Sequence, residues 1–112
     1  MLTITIRFRV RPEWRDRWLD LVAEFTEATR AEEGCAWFWW SRSVEDPCIF
    51  YLLEGHREES VAAHLTSPLV PKITKEWPQA LAATPTMLRA SVPGAAWEPM
   101  DDLLPVPPID AH

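Results

Sequence analysis

Two short stretches of this sequence are apolar without a break, Ala36 to Trp40 and Ile49 to Leu53. A strand with one wet face alternates apolar and polar side chains; a continuously apolar strand is normally covered on both faces. Val44, Glu45, Asp46 and Pro47 lie between the two stretches and read as a turn, which makes them neighbouring strands. A chain of 112 residues has helix enough to cover one face of a four-stranded sheet. A second copy of the same sheet is the simplest cover for the other face, and symmetric pairs are the commonest oligomers.

The flanking segments complete a pattern. Leu2, Ile4, Ile6, Phe8 and Val10 alternate with Thr3, Thr5, Arg7 and Arg9, the signature of a strand with one buried face. Pro12 suits a first helical turn. From there Trp14, Trp18, Leu21, Val22, Phe25 and Ala28 recur at helical spacing, opposite a solvated face of Asp16, Asp20, Glu24 and Glu27. Gly34 is expected to stop this helix. A second helix is expected from about Arg57 to Leu65, ended by Ser67 and Pro68. Leu69 to Leu81 continues at helical spacing, with Pro71 and Pro78 expected to break it into short turns. Thr86 to Val92 reads as a last strand. The order βαββαβ is that of the ferredoxin-like split βαβ arrangement, an α+β class. The domain is expected to span residues 1–92. Residues 93–112 hold five prolines and form an extended tail, either mobile or draped over a partner subunit.

Charge and composition exclude several roles. A net charge of −6 repels phosphate backbones, so nucleic acid is not an expected partner. No apolar run is long enough to span a bilayer and the alternating N-terminus is no signal peptide, so a cytoplasmic location is expected. Cys35 and Cys48 fall about eight residues out of register, on the order of 26 Å apart, and are expected to stay reduced. Three glycines cannot build a phosphate loop. There is no Cys-x-x-Cys and no His-x-x-x-His, and His56, His64 and His112 read as too few and too badly spaced for a metal cage. The expected cofactor set is empty.

What remains is a small polar set beside an aromatic sheet. His64 falls on the second helix with Ser60 one turn earlier, placed to accept a proton from a phenolic substrate. Its ordinary alternative is a half-buried structural histidine. His56, whose ordinary role would be a surface turn, is a candidate ligand contact. Trp39, Tyr51 and Trp77 are candidate stacking walls for a flat ligand, against the plainer reading of core and interface.

Glu32-Glu33-Gly34-Cys35, Asp46-Pro47, Phe50 to Gly55 and Ala62-Ala63-His64-Leu65-Thr66-Ser67-Pro68 together resemble the antibiotic biosynthesis monooxygenase family, and the strand and turn from Ile4 to Pro12 fit as well. The resemblance implies a dimeric α+β barrel of two sheets packed face to face. It also implies oxidation of electron-rich aromatics by O₂ without metal or flavin. Relatives include haem-degrading enzymes and a sugar-phosphate isomerase. The Asn and Trp that well-studied cofactor-free members use have no match: the chain contains no Asn, and Leu52 and His56 stand near those places. The haem-degrading branch has an Asn where Ile6 lies and an axial His near Thr74. Leu69 stands where many relatives carry a second His.

The reading is a cofactor-independent monooxygenase acting on a phenolic, quinol or polyketide-like aromatic held between the sheet and the second helix. His64 is its base. The alternatives are a non-catalytic dimeric binding protein for a hydrophobic molecule, or an isomerase using the same histidine. The two-faced strands carry the first prediction. At micromolar concentration, light scattering should give twice the 12.9 kDa chain mass; a monomer mass would refute a face-to-face pair of sheets.

Overall fold

The computed structural model describes residues 1–108. Its four strands are β1 (Leu2–Arg9), β2 (Cys35–Arg42), β3 (Ile49–His56) and β4 (Thr86–Ser91), in one antiparallel sheet of order β2-β3-β1-β4. The helices are α1 (Trp18–Leu21), α2 (Ala23–Arg30), α3 (Val61–Leu65) and α4 (Leu69–Glu76). This is the expected ferredoxin-like α+β arrangement.

β1 and β3 pair along their full length, from Leu2 opposite His56 to Arg9 opposite Ile49. Because side chains alternate across a strand, that register fixes the two faces. The inner face takes Leu2, Ile4, Ile6 and Phe8 from β1 and Phe50, Leu52, Glu54 and His56 from β3. Phe38 and Trp40 of β2 join them. The core closes over this face with Trp18, Val22 and Phe25 from the first helical layer and Trp77 beyond α4. Trp18 is its hub, with Phe8, Trp40, Phe50 and Trp77 at ring-centroid distances of 5.2, 5.8, 6.3 and 5.5 Å. Tilted and edge-on contacts of this kind suit the ring quadrupoles.

The outer face carries Thr3, Thr5 and Arg7 with Trp37, Trp39, Tyr51, Leu53 and Leu88. It is the two-faced sheet that the unalternating segments anticipate. No helix lies on it among the described residues. Trp97 of the tail packs on it, meeting Trp37 at 5.7 Å and Trp39 at 5.0 Å. Beyond that contact Met100, Leu103, Leu104 and Val106 are exposed. The radius of gyration is 17.0 Å, where a globular chain of this length is expected near ~13 Å; the extended tail accounts for the excess.

Three local expectations are corrected. The first helix is not continuous but starts as a 3₁₀ turn at Pro12–Trp14 and bends at Val22, between α1 and α2. The Val22 carbonyl there accepts both the Thr26 amide at 3.0 Å and the Thr26 hydroxyl at 2.8 Å, a side-chain bond of the kind that often bends helices. Gly34 is not a left-handed cap, since Gly94 alone has positive φ among the described residues. Pro71 does not break α4. It sits in the first turn, where its missing N–H costs nothing. Pro78 falls in a separate 3₁₀ turn, Trp77–Ala80.

Trp18 is fully buried and its indole Nε1 has no hydrogen-bond partner among the described residues. Trp18→Ala should therefore lower unfolding stability by ~3–5 kcal/mol. Trp18→Phe should cost less than half of that, because it removes an unsatisfied donor along with some packing. Urea titration followed by circular dichroism checks both. Equal losses would show that the N–H is satisfied.

Candidate active site

Parity on β3 builds the first half of the site. Glu54 and His56 are two residues apart and both face inward, 4% and 1% exposed. The His56 Nε2–Glu54 Oε1 distance is 2.8 Å, a hydrogen bond in which the imidazole N–H donates to the carboxylate. The second half comes from elsewhere in the chain. His64 on α3 is 8% exposed and its Nδ1 lies 3.1 and 3.3 Å from the two Glu32 carboxylate oxygens. Glu32 sits in the turn that follows α2.

What brings these halves together is a close backbone approach. The Arg57 amide donates to the Gly34 carbonyl at 2.8 Å, and Gly34 lies so near Ser60 that a methyl group there would overlap its side chain. The α2–β2 turn is thereby tied to the segment leading into α3, and Glu32 faces His64. The His56 and His64 rings stack at 4.6 Å, and His64 Nε2 is 3.8 Å from Glu54 Oε1. Phe25 closes one side of His64 at 5.6 Å.

The cluster borders a cavity of about 240 Å³ between the inner sheet face and the helices α3 and α4. Its walls are mainly apolar: Ile4, Ile6, Leu52, Val70, Ile73 and Trp77. Arg89 of β4 also lines it and supplies a cation. Ligand sites for drug-sized molecules run from roughly 300 Å³ upward, so this cavity suits a smaller, one- or two-ring molecule.

Of the residues singled out from sequence, His56, His64 and Trp77 meet at this cavity. His56 is a buried strand residue, not the surface turn residue that its position after an apolar run suggested. Trp39 and Tyr51 lie on the outer face. Trp39 is 46% exposed and packs against Trp97, while Tyr51 lines a separate groove with Thr5, Arg7 and Leu88. Ser60 serves the Gly34 contact instead of His64. Glu32 and Glu54 carry no site role in the sequence reading, where both appear only within the segments that resemble the family. Glu54 has a legible signal, an acidic residue in phase with Phe50 and Leu52; no local pattern points Glu32 at His64.

The linear spacing of the histidines argues against a shared metal, and the structure corrects that expectation. In space, one donor atom each from Glu32, His56 and His64 lies within 4.8 Å of the other two. Linear spacing rules fail here because the three come from a turn, a strand and a helix.

A family model described as antibiotic biosynthesis monooxygenase matches residues 1–76. The chain belongs to that family. The family's fold is seen in solved structures of low sequence identity. One is an antibiotic biosynthesis monooxygenase (TM-score 0.73, 20% identity, covering 82% of this chain and 98% of the other). The Rv0793 protein of Mycobacterium tuberculosis superposes with a TM-score of 0.75 at 22% identity, covering 86% and 98%. A conserved protein from Methanosarcina mazei gives 0.73 at 23%, covering 80% and 89%. At these identities the likeness is one of fold. No protein with a curated description matches the sequence.

Cys35 opens β2, paired with His56, and both cysteines are free thiols. Burial pushes the Cys35 thiol above its ordinary pKa, and the carboxylates of Glu32 and Glu54 push it further, against a weaker pull from Arg30. A raised pKa means less thiolate at neutral pH. Iodoacetamide should therefore modify Cys35 more slowly than a free thiol at pH 7, with a rate that climbs at a higher pH than for the free thiol. Peptide mass spectrometry reads this directly. Modification as fast as a free thiol would contradict the electrostatics of the cluster.

Proposed function

We propose that this family member is a cofactor-independent monooxygenase that oxidises a small phenolic, quinol or polyketide-like aromatic with O₂. One observation carries the reading: His64 borders an apolar cavity with the Glu32 carboxylate on its Nδ1. A carboxylate that accepts the Nδ1–H leaves Nε2 as the proton acceptor and stabilises the imidazolium formed when it takes a proton. The apolar walls keep water from the resulting anion, and Arg89 offsets its charge.

The reaction balances without a protein-held oxidant. His64 takes a proton from the substrate, and the electron-rich anion passes one electron to O₂. The substrate radical and superoxide join in a new C–O bond, and the peroxide anion takes back the proton held by His64 to give a hydroperoxide. Loss of water, with the second hydrogen of the same carbon, leaves a carbonyl. In net terms a ring CH₂ and O₂ become C=O and H₂O. The protein's share is deprotonation, orientation and shielding. A homodimer formed through the outer sheet face completes the proposal, supported by the exposed Trp39 and Leu88 on that face.

The test is oxygen uptake with a reduced naphthoquinone, a two-ring quinol of the size the cavity suits. His64→Ala should lower turnover by roughly 10²-fold or more, the usual worth of a positioned acid–base group. Binding of the same molecule, followed by tryptophan fluorescence, should change far less. Binding with no oxygen uptake in the native protein would favour a non-catalytic carrier of hydrophobic molecules. Equal turnover per folded molecule in the variant would remove His64 from the chemistry.

A further inference from the structure

We infer that Glu32, His56 and His64 form a binding site for a divalent first-row transition ion such as Zn²⁺, with Glu54 holding the imidazoles from behind. The donor atoms of the three already lie within 4.8 Å of one another. A tetrahedral site with ligand bonds of about 2.0–2.1 Å needs separations of roughly 3.3 Å. Glu32 can close much of that gap by side-chain rotation, because it stands on a turn and its side chain keeps 30% of its exposure.

The tautomers also suit a cation. His56 Nε2 is committed to Glu54 at 2.8 Å, which leaves Nδ1 as its free lone pair. Metal-bound histidines commonly donate their other ring N–H to a carboxylate in this way, which fixes tautomer and ring orientation. His64 Nε2 has no hydrogen-bond partner among the described residues and lies 3.8 Å from the same Glu54 oxygen. Moving the His64 proton from Nδ1 to Nε2 turns that N–H toward Glu54 and frees Nδ1, the nitrogen that faces Glu32, for the ion.

Charge points the same way. Glu32 and Glu54 together offset a dication, in a setting where His56 and His64 are nearly buried and the adjoining cavity is apolar. Two imidazoles and a carboxylate favour zinc, iron or manganese over calcium or magnesium, which prefer all-oxygen shells. Three protein ligands leave a fourth position open, and two of the three, His56 and His64, line the cavity. Binding itself is independent of the proposed oxidation. Where His64 does act as the base, a bound ion competes with the proton for that imidazole and inhibits.

The experiment is calorimetric titration of chelator-treated full-length protein with ZnCl₂ alone, together with Co²⁺ absorbance in the visible. Expected is about one Zn²⁺ per chain at micromolar affinity or tighter, and a cobalt band that zinc abolishes. Glu32→Gln should weaken binding by roughly 10²-fold and Glu54→Gln by roughly 10- to 100-fold. Glu32→Gln is the safer variant because its side chain is not fully buried, and circular dichroism verifies that it folds. No saturable binding in the native chain, or equal affinity in native and Glu32→Gln protein, overturns the site. Zinc binding that leaves oxygen uptake unchanged overturns the base role of His64 and leaves the metal site standing.

Discussion

The full-length pairing of β1 with β3 is the constraint on which the other features depend. Eight rungs from Leu2–His56 to Arg9–Ile49 lock the parity of both central strands. A slip of β3 by one residue against β1 would turn Phe50 and Leu52 outward and bury Tyr51 while Phe8 stayed inside. With the register as it stands, the inner face has two ends of different chemistry. Phe8, Trp40 and Phe50 gather around Trp18 at one end; Glu54 and His56 lie at the other. The cavity lies along the inner face beside that polar end.

Keeping a polar end there is expensive. Withdrawing a carboxylate from water costs several kcal/mol even after relaxation, and an ion pair recovers that only with good geometry. The His56–Glu54 bond at 2.8 Å is such a geometry, and His64–Glu32 at 3.1 Å is a second. An apolar set of similar volume would fill the space at no such cost. Two carboxylates and two imidazoles at the edge of an apolar cavity are therefore better explained by what they do than by what they stabilise. The pairs are also interdependent, since Glu54 lies within reach of both rings.

Much of the fold was legible because it follows from period and breakers. Alternation in Leu2–Val10 gave β1, and helical spacing from Trp14 to Ala28 gave the first helical layer. The unalternating Ala36–Trp40 and Ile49–Leu53 gave a sheet with two apolar faces. Legibility stopped where a contact between distant segments decides the outcome. Glu32 meets His64 across 32 positions of sequence through the approach of Gly34 to Ser60, which no local pattern announces. Parity could have separated the aromatic candidates, since Trp39 and Tyr51 are out of phase with Trp40 and Leu52. Residue type alone does not, since Trp39, Tyr51 and Trp77 are equally aromatic.

The outer face poses a different physical problem from the inner one. Trp37, Trp39, Leu53 and Leu88 form an apolar surface that no helix covers among the described residues. Trp97 covers the β2 end of it, where Gly55 leaves room for the Trp37 indole to lie against the strand. The β4 end, with Leu88 at 78% exposure, stays open. The tail thus divides the face into a self-covered and an uncovered part. A second sheet packing there must either share the surface with Trp97 or displace it. Because stacking on Trp37 and Trp39 is an intramolecular contact, it competes with dimer packing at a strength that does not depend on concentration. The association of two sheets does depend on concentration. The balance between the two is therefore set by how much of the outer face a partner covers beyond the tryptophan patch, and Leu88, Tyr51 and Leu53 are the side chains that offer it.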